Sequence, residues 1–233
     1  MKGARKIKDL LYEQVARIGK VFSSPKRLEL IELLCQGDKT VEKLAAEAAI
    51  SMKLTSAHLR ELRAARLVET ERRGKHVCYR LADKSVAALW VQVHTLAEDR
   101  LIELQGAMQD IAAQPNELVA SDRESLMKAA RKGEVVVLDV RPTEEYLAEH
   151  LPFARSIPLV ELRQRLAELP KDRSIVAYCR GPYCLWANDA VELLKAAGFT
   201  ASRLRDGVAE WASVDRSVGG RGGAIGRSHR ANG

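Results

Sequence analysis

The sequence predicts two domains of different fold class: a mainly α-helical N-terminal half that ends in a basic two-stranded hairpin, and an α/β C-terminal half built on a parallel sheet. Three observations carry this expectation. Apolar residues recur at helical spacing from Ile7 to Phe22, and shorter helical runs follow. Two alternating segments, Leu67–Thr70 and His76–Leu81, flank the turn Arg72-Arg73-Gly74-Lys75. Beyond residue 116, apolar runs such as Val135-Val136-Val137-Leu138 alternate with helical patterns, as in a sheet covered on both faces.

The elements follow in order. Helix one runs from about Ile7 to Phe22, on Ile7, Leu10, Leu11, Val15, Ile18 and Phe22. Ser24-Pro25 reads as the N-cap and first position of a second helix, which carries Leu28, Ile31 and Leu34 and stops at Gly37. Thr40 caps a short third helix; Ser51 opens a fourth with Thr55, Leu59 and Leu62 inward. After the hairpin, Asp83 begins one long helix through Ile111. Ala112–Asn116 breaks it and reads as a linker. The predicted divisions are 1–111, a linker at 112–116, a second domain at 117–214 and a disordered Gly/Ser/Arg tail at 215–233. In the second domain Ser121 caps a helix ending near Gly133. A strand follows at 135–138, then helices at 144–149 and 159–169, a strand at Ser174–Tyr178, a helix at 185–197 and a strand at 201–204.

Bulk properties narrow the classes. At 233 residues, 46% hydrophobic and 30% charged, the chain has the composition of globular domains. No apolar run approaches the ~18–20 residues of a membrane span. The basic N-terminus lacks the apolar core of a secretory signal. Four cysteines (Cys35, Cys78, Cys179, Cys184) are too scattered for a disulfide scaffold, so a cytoplasmic location is expected. The net charge of +7 is uneven: Lys and Arg outnumber Asp and Glu by 20 to 14 through Leu104, and by 18 to 17 beyond it. The first half therefore suits an anionic partner.

Three helices, a fourth and a basic hairpin spell a winged helix-turn-helix, whose fourth helix enters the DNA major groove. Leu59 and Leu62 must face the core, which leaves Lys53, Ser56, His58 and Arg60 toward the groove. Arg72, Arg73 and Lys75 of the wing would lie near phosphates. The runs Ser24-Pro25-Lys26-Arg27-Leu28, Glu32-Leu33-Leu34, Val41–Ala45, His58-Leu59-Arg60-Glu61-Leu62 and Tyr79–Asp83 closely resemble the ArsR family of repressors. That resemblance implies a homodimer built on the first and last helices, operator DNA as partner, and repression relieved by an inducer. Leu54 and Ala57 depart from positions often polar in the family, and Arg66 stands where a glycine is usual. No metal site is expected: Cys-x-Cys is missing from the third helix, and Asp83 and His94 lack further ligands. Cys35 reads as core, and His94 as a satisfied helix residue.

The stretch Tyr178-Cys179-Arg180-Gly181-Pro182-Tyr183-Cys184 places a cysteine at the end of an apolar strand, before a glycine-containing loop and a helix. Loop N–H groups, the helix N-terminus and Arg180 would all favour a thiolate there. With Asp139-Val140-Arg141-Pro142, Glu144-Glu145-Tyr146, His150–Ala154, Ile157-Pro158-Leu159, Asp206-Gly207-Val208 and Trp211, the series resembles a rhodanese (sulfurtransferase) domain. The resemblance implies a Cys179 nucleophile that carries sulfur as a persulfide, and no cofactor. Asp139 and Arg141 read as supports of the fold beside the loop, and His150 as a buried hydrogen-bonding residue. Cys184 takes a position where such loops often carry a basic residue, and Pro182 removes one N–H. Cys184 could resolve a modified Cys179 or simply pack under the next helix. The expectation is a DNA-binding regulator whose second domain senses a sulfane-sulfur donor or oxidant through Cys179. A sulfurtransferase with a targeting DNA-binding domain is the alternative, and whether the two cysteines approach bonding distance stays open.

Overall fold

The computed structural model describes residues 2–112, 117–118 and 123–219. The N-terminal domain holds helices α1 (Lys2–Phe22) and α2 (Pro25–Cys35), strand β1 (Lys39–Thr40), helices α3 (Val41–Glu47) and α4 (Met52–Ala64), strands β2 (Val68–Arg73) and β3 (His76–Leu81), and helices α5 (Lys84–Arg100) and α6 (Ile102–Ala112). The caps are those the sequence signals. Thr40 accepts from the Lys43 amide, Ser51 from Leu54 and Asp83 from Ser85. Pro25 occupies the first turn of α2. α3 and α4 both end in a left-handed residue closed by paired backbone bonds: Ile50 N–H to Ala45 and Ala49 to Ala46, then Leu67 to Leu62 and Arg66 to Arg63. The left-handed residues are Ala49 (φ 51°) and Arg66 (φ 59°), so Arg66 adopts the conformation for which its usual glycine is suited. Leu30, Ile31, Leu44, Leu59, Leu62 and Trp90 form the core.

The second domain contributes β4 (Glu117–Leu118), α7 (Arg123–Lys132), β5 (Val135–Asp139), α8 (Thr143–Ala148), β6 (Arg155–Ser156), α9 (Leu159–Arg165), β7 (Ser174–Tyr178), α10 (Trp186–Ala196), β8 (Ala201–Leu204) and α11 (Val208–Gly219). Its strands form one five-stranded sheet in the order β4-β8-β7-β5-β6, every pair parallel. Alternate residues of one strand feed opposite cores. Val136, Leu138, Ile175, Ala177 and Cys179 face α9 and α10, with Leu162, Ala187, Ala190 and Leu194. Val137, Val176 and Tyr178 face the other side, with Leu126, Leu151 and Val208. Burial on both faces explains why these strands read as continuous apolar runs.

Four expectations need correction or bounding. The long helix is two, because Leu101 is extended (φ −102°, ψ 109°). No Gly or Pro marks that break; the freed Glu98 carbonyl accepts from the Gln105 side chain. The two-residue strands β1, β4 and β6 are too short for any periodic signal and add to the expected strands. α11 continues to Gly219, past the expected start of the tail at 215. The linker residues 113–116, the Ser121 cap and positions 220–233 lie outside the described residues.

Candidate functional site

β7 is the central strand of its sheet, between β5 and β8, and it delivers Cys179 at its C-terminal end. Open parallel sheets place their ligand sites at that edge. Cys179 is only 2% exposed and packs against Ala187 and Ala190 of α10, whereas Cys184 is partly exposed. The two are joined as a disulfide with Cα atoms 6.3 Å apart, inside the range such a bond requires. The loop is thus closed on itself, and Cys184 N–H donates to the Gly181 carbonyl within it at 3.2 Å.

Neighbouring backbone fixes the loop. Gly181 has φ 152°, and a side chain there would meet the Glu210 carboxylate. A Cβ on Gly207 would collide with the Arg180 carbonyl group, so only glycine permits this approach. Beside the loop, Asp139 and Arg141 are fully buried and bonded to each other through Nε and Nη2. Asp139 also accepts from the Tyr178 hydroxyl at 2.5 Å. The Tyr178 hydroxyl in turn accepts from the Leu151 amide. Burial and the adjacent Asp139 charge push the Tyr178 phenol up.

Arg180 differs from its expected use. Its guanidinium is turned toward carboxylates rather than offered free to the sulfur. Nε and Nη2 reach Glu145 at 3.0 and 2.6 Å, Nη2 lies 2.8 Å from Glu47, and the group stacks 4.5 Å over Trp186. A buried cation requires paired anions, and one of them, Glu47, belongs to the other domain. Lys39 closes the figure: its Nζ lies 2.6 Å from Glu145 and 3.4 Å from Glu47. The result is a ring of four alternating charges, Lys39–Glu145–Arg180–Glu47, two from each domain. Burial works against the Glu145 charge, but Arg180 and Lys39 overcome it and hold this carboxyl below its usual range.

Further contacts seat the loop on the N-terminal domain. Gln36 donates to the Arg180 carbonyl at 3.2 Å and accepts from Arg141 at 2.8 Å. Tyr183 packs edge-on against Trp90 and His94 of α5. His94, 4% exposed, lies 3.3 Å from both Glu98 and Glu210. Burial opposes its charge, yet the two carboxylates raise its pKa to about 9. Glu98 also pairs with Arg205. His150 is exposed and stacks on Tyr146, which corrects its expected burial: it follows the end of a short helix rather than entering the core. Cys35 is partly buried against the N-terminal core, and Cys78 lies in β3.

The residues expected to face DNA fall on one helix and the wing. Lys53 and Arg60 of α4 are exposed, Ser56 and His58 are partly buried, and Thr55, Leu59 and Leu62 are inward. Burial, with Arg27 nearby, lowers the His58 pKa. Arg72 and Lys75 are exposed, while Arg73 is engaged by Asp38 and Glu71 at 2.5 and 2.7 Å. Among the described residues no group of three or more His, Cys, Asp or Glu side chains is arranged to hold a metal ion. Among them too, no helix is long and apolar enough to cross a membrane.

Missing from the sequence reading were Gln36, Lys39, Glu47, Glu145, Tyr183 and Glu210 as members of this site. Glu145 and Tyr183 had a local signal, since both stand within motifs of the second domain, and Glu210 lies in that domain too, between Val208 and Trp211. Gln36, Lys39 and Glu47 come from the other domain, through a contact that no sequence interval encodes.

Two family models match the chain. Residues 24–70 match the family model of the bacterial regulatory protein arsR family, and residues 122–214 match that of the rhodanese-like domain. The chain is 42% identical to the HTH-type transcriptional regulator Rv0324 of Mycobacterium tuberculosis, over 91% of this chain and 92% of that protein. A sulfurtransferase of Allochromatium vinosum is 32% identical over 39% of this chain and 85% of its own length. A solution structure of the homodimeric winged helix-turn-helix domain of Mb0332 from Mycobacterium bovis is 36% identical and covers 41% of this chain and 89% of that one, with a TM-score of 0.39. With its helix-turn-helix and wing in the first half and its cysteine-bearing parallel sheet in the second, the chain belongs to the ArsR family of bacterial transcriptional regulators and carries a rhodanese-like domain.

Proposed function

We propose that this regulator represses transcription as a homodimer in the cytoplasm and is induced by a sulfane-sulfur donor or oxidant acting on Cys179. Lys53, Ser56, His58 and Arg60 read the operator, and Arg72, Arg73 and Lys75 grip phosphates. Support for the dimer comes from α1, whose Ile7, Leu10, Leu11, Tyr12 and Val15 are all more than half exposed. The division of labour places DNA binding and dimerisation in residues 1–111 and sensing in 117–214.

One observation carries the sensing reading: Cys179 and Cys184 form a bonded pair inside a loop seated on the helix-turn-helix domain. The chemistry balances without a cofactor. A Cys179 thiolate attacks the sulfane sulfur of a persulfide RS–SH, giving Cys179–S–SH and RS⁻. The Cys184 thiolate then attacks the Cys179 sulfur, forming the disulfide and expelling HS⁻. A peroxide follows the same course through a Cys179 sulfenic acid, with water or hydroxide leaving at the second step. Asp139 and Arg141 hold the strand end beside this loop.

The test is operator binding by the wild type and Cys179→Ser, with and without inorganic polysulfide. The expected result is a polysulfide-dependent loss of affinity in the wild type alone. An equal response from the variant would refute a Cys179 sensor, and steady thiosulfate turnover far above that of a free thiol would favour the enzyme reading.

A further inference from the structure

The charge ring lies where a sensor must be read. Glu47 is the last residue of α3, the first helix of the helix-turn-helix, and it precedes the turn whose Ala49 is left-handed and whose Ser51 caps α4. Arg180 follows Cys179 directly in the chain. The path from the sulfur to the DNA-reading turn is therefore Cys179, Arg180, Glu47: one peptide bond and one ion pair of 2.8 Å. The pair is not a surface contact. Side-chain exposures are 2% for Lys39 and Glu145, 9% for Arg180 and 16% for Glu47. Each charge depends on the others, because separating the domains would leave two buried ions on each side to be solvated again.

The pair also competes with alternative routes. The loop's other contacts with the DNA-binding domain, Gln36 on the Arg180 carbonyl and Tyr183 against Trp90 and His94, reach the end of α2 and α5 rather than α3. The outlying pair Lys84–Glu149, at 3.4 Å with exposures of 69% and 51%, is screened by water and contributes little.

Resting on the sensor reading above, we infer that Lys39 and Glu47 of the DNA-binding domain are positioning residues of the sulfur site, and that the four-charge ring couples the Cys179–Cys184 bond to operator binding. Coupling of this kind is reciprocal. If the bonded loop holds the DNA-reading turn in one geometry, DNA that selects a geometry must shift the thiol–disulfide equilibrium by the same factor. The regulator is then a device in which operator DNA tunes the redox poise of its own sensor.

The experiment equilibrates the full-length protein with dithiothreitol and its cyclic disulfide. Two reagent thiols reduce one Cys179–Cys184 bond, yielding two protein thiols and the cyclic disulfide. The oxidised fraction is read by alkylation and intact mass. Each series is run with and without a duplex selected from random-sequence DNA by the wild-type protein. The expected wild-type equilibrium constant shifts by about 5-fold or more on DNA binding, at the lower end of ordinary coupling. Glu47→Gln brings the ratio toward one, while Lys84→Gln keeps the wild-type ratio. The wild-type measurement needs no substitution, so the inference stays testable even if Glu47→Gln fails to fold. A ratio of one in a wild type that both forms the bond and binds DNA would overturn the coupling and leave the sensor reading standing. A full ratio in Glu47→Gln, or its loss in Lys84→Gln, would overturn the ring as the route. A failure to form the bond at any reagent ratio would instead defeat the sensor reading, and the coupling with it.

Discussion

Raising the pH from 7 to 9 should weaken this protein through a single side chain, His94. Its ring is 4% exposed and lies between Glu98 on its own helix and Glu210 on α11, at 3.3 Å from each. The other neighbours are the rings of Trp90 and Tyr183. Burial disfavours the imidazolium, and the two carboxylates more than reverse that, from an ordinary 6.5 to about 9. The folded state therefore binds a proton that the unfolded chain releases. The stabilisation is fully present below pH 6.5 and is lost as pH rises through 9. The spread between those values corresponds to on the order of 3 kcal/mol. Other buried groups do not confuse the window. Burial, aided by Glu210, lifts Glu32 only to about 7, so its matching loss is nearly complete by then. Burial pushes the Cys35 thiol and the Tyr183 phenol up, so their own losses begin only as the unfolded chain's thiols and phenols ionise, near pH 9 and above, and the variant shares them. The assay is urea unfolding of the wild type and His94→Asn at steps from pH 6.5 to 9.5. The wild-type advantage should shrink across the interval by most of that amount. Parallel stability curves for the two proteins would refute the reasoning.

Four further outcomes follow from particular contacts. Gly207→Ala should displace the cysteine loop, because its Cβ collides with Arg180 backbone; we expect a loss of about 1–3 kcal/mol, checked by thermal melting. Asp139→Asn should cost about 3–5 kcal/mol in denaturant unfolding, since it strands the buried Arg141 guanidinium. Incoming thiols should attack the exposed end of the disulfide: a glutathione mixed disulfide, mapped by peptide mass spectrometry, is expected on Cys184 rather than on Cys179. Replacing Arg72 and Lys75 with Ala should flatten the salt dependence of DNA binding by about one power of salt concentration for every phosphate these side chains no longer neutralise, measured by titration at several ionic strengths.

How the sequence performed depended on the range of the interaction. Short-range rules placed the Thr40, Ser51 and Asp83 caps and the Cys179 loop at the end of a buried strand, because a cap or an apolar alternation is complete within a few residues. The same rules failed at Leu101, where a helix breaks without Gly or Pro, and at β1, β4 and β6, whose two residues carry no period. They marked Arg66 as an oddity but could not say that it stands at φ 59°.

The sequence by itself determined the two fold classes, the helix-turn-helix with its basic wing, and the cysteine-bearing loop, since each is written in contiguous residues. Only the tertiary structure decided that Cys179 is bonded to Cys184, that Arg180 answers to Glu47 and Glu145, and that the DNA-binding domain supplies Gln36 to the loop and Lys39 to Glu145 beside it. Charges more than a hundred residues apart become partners only when burial removes the water that would otherwise satisfy each one alone.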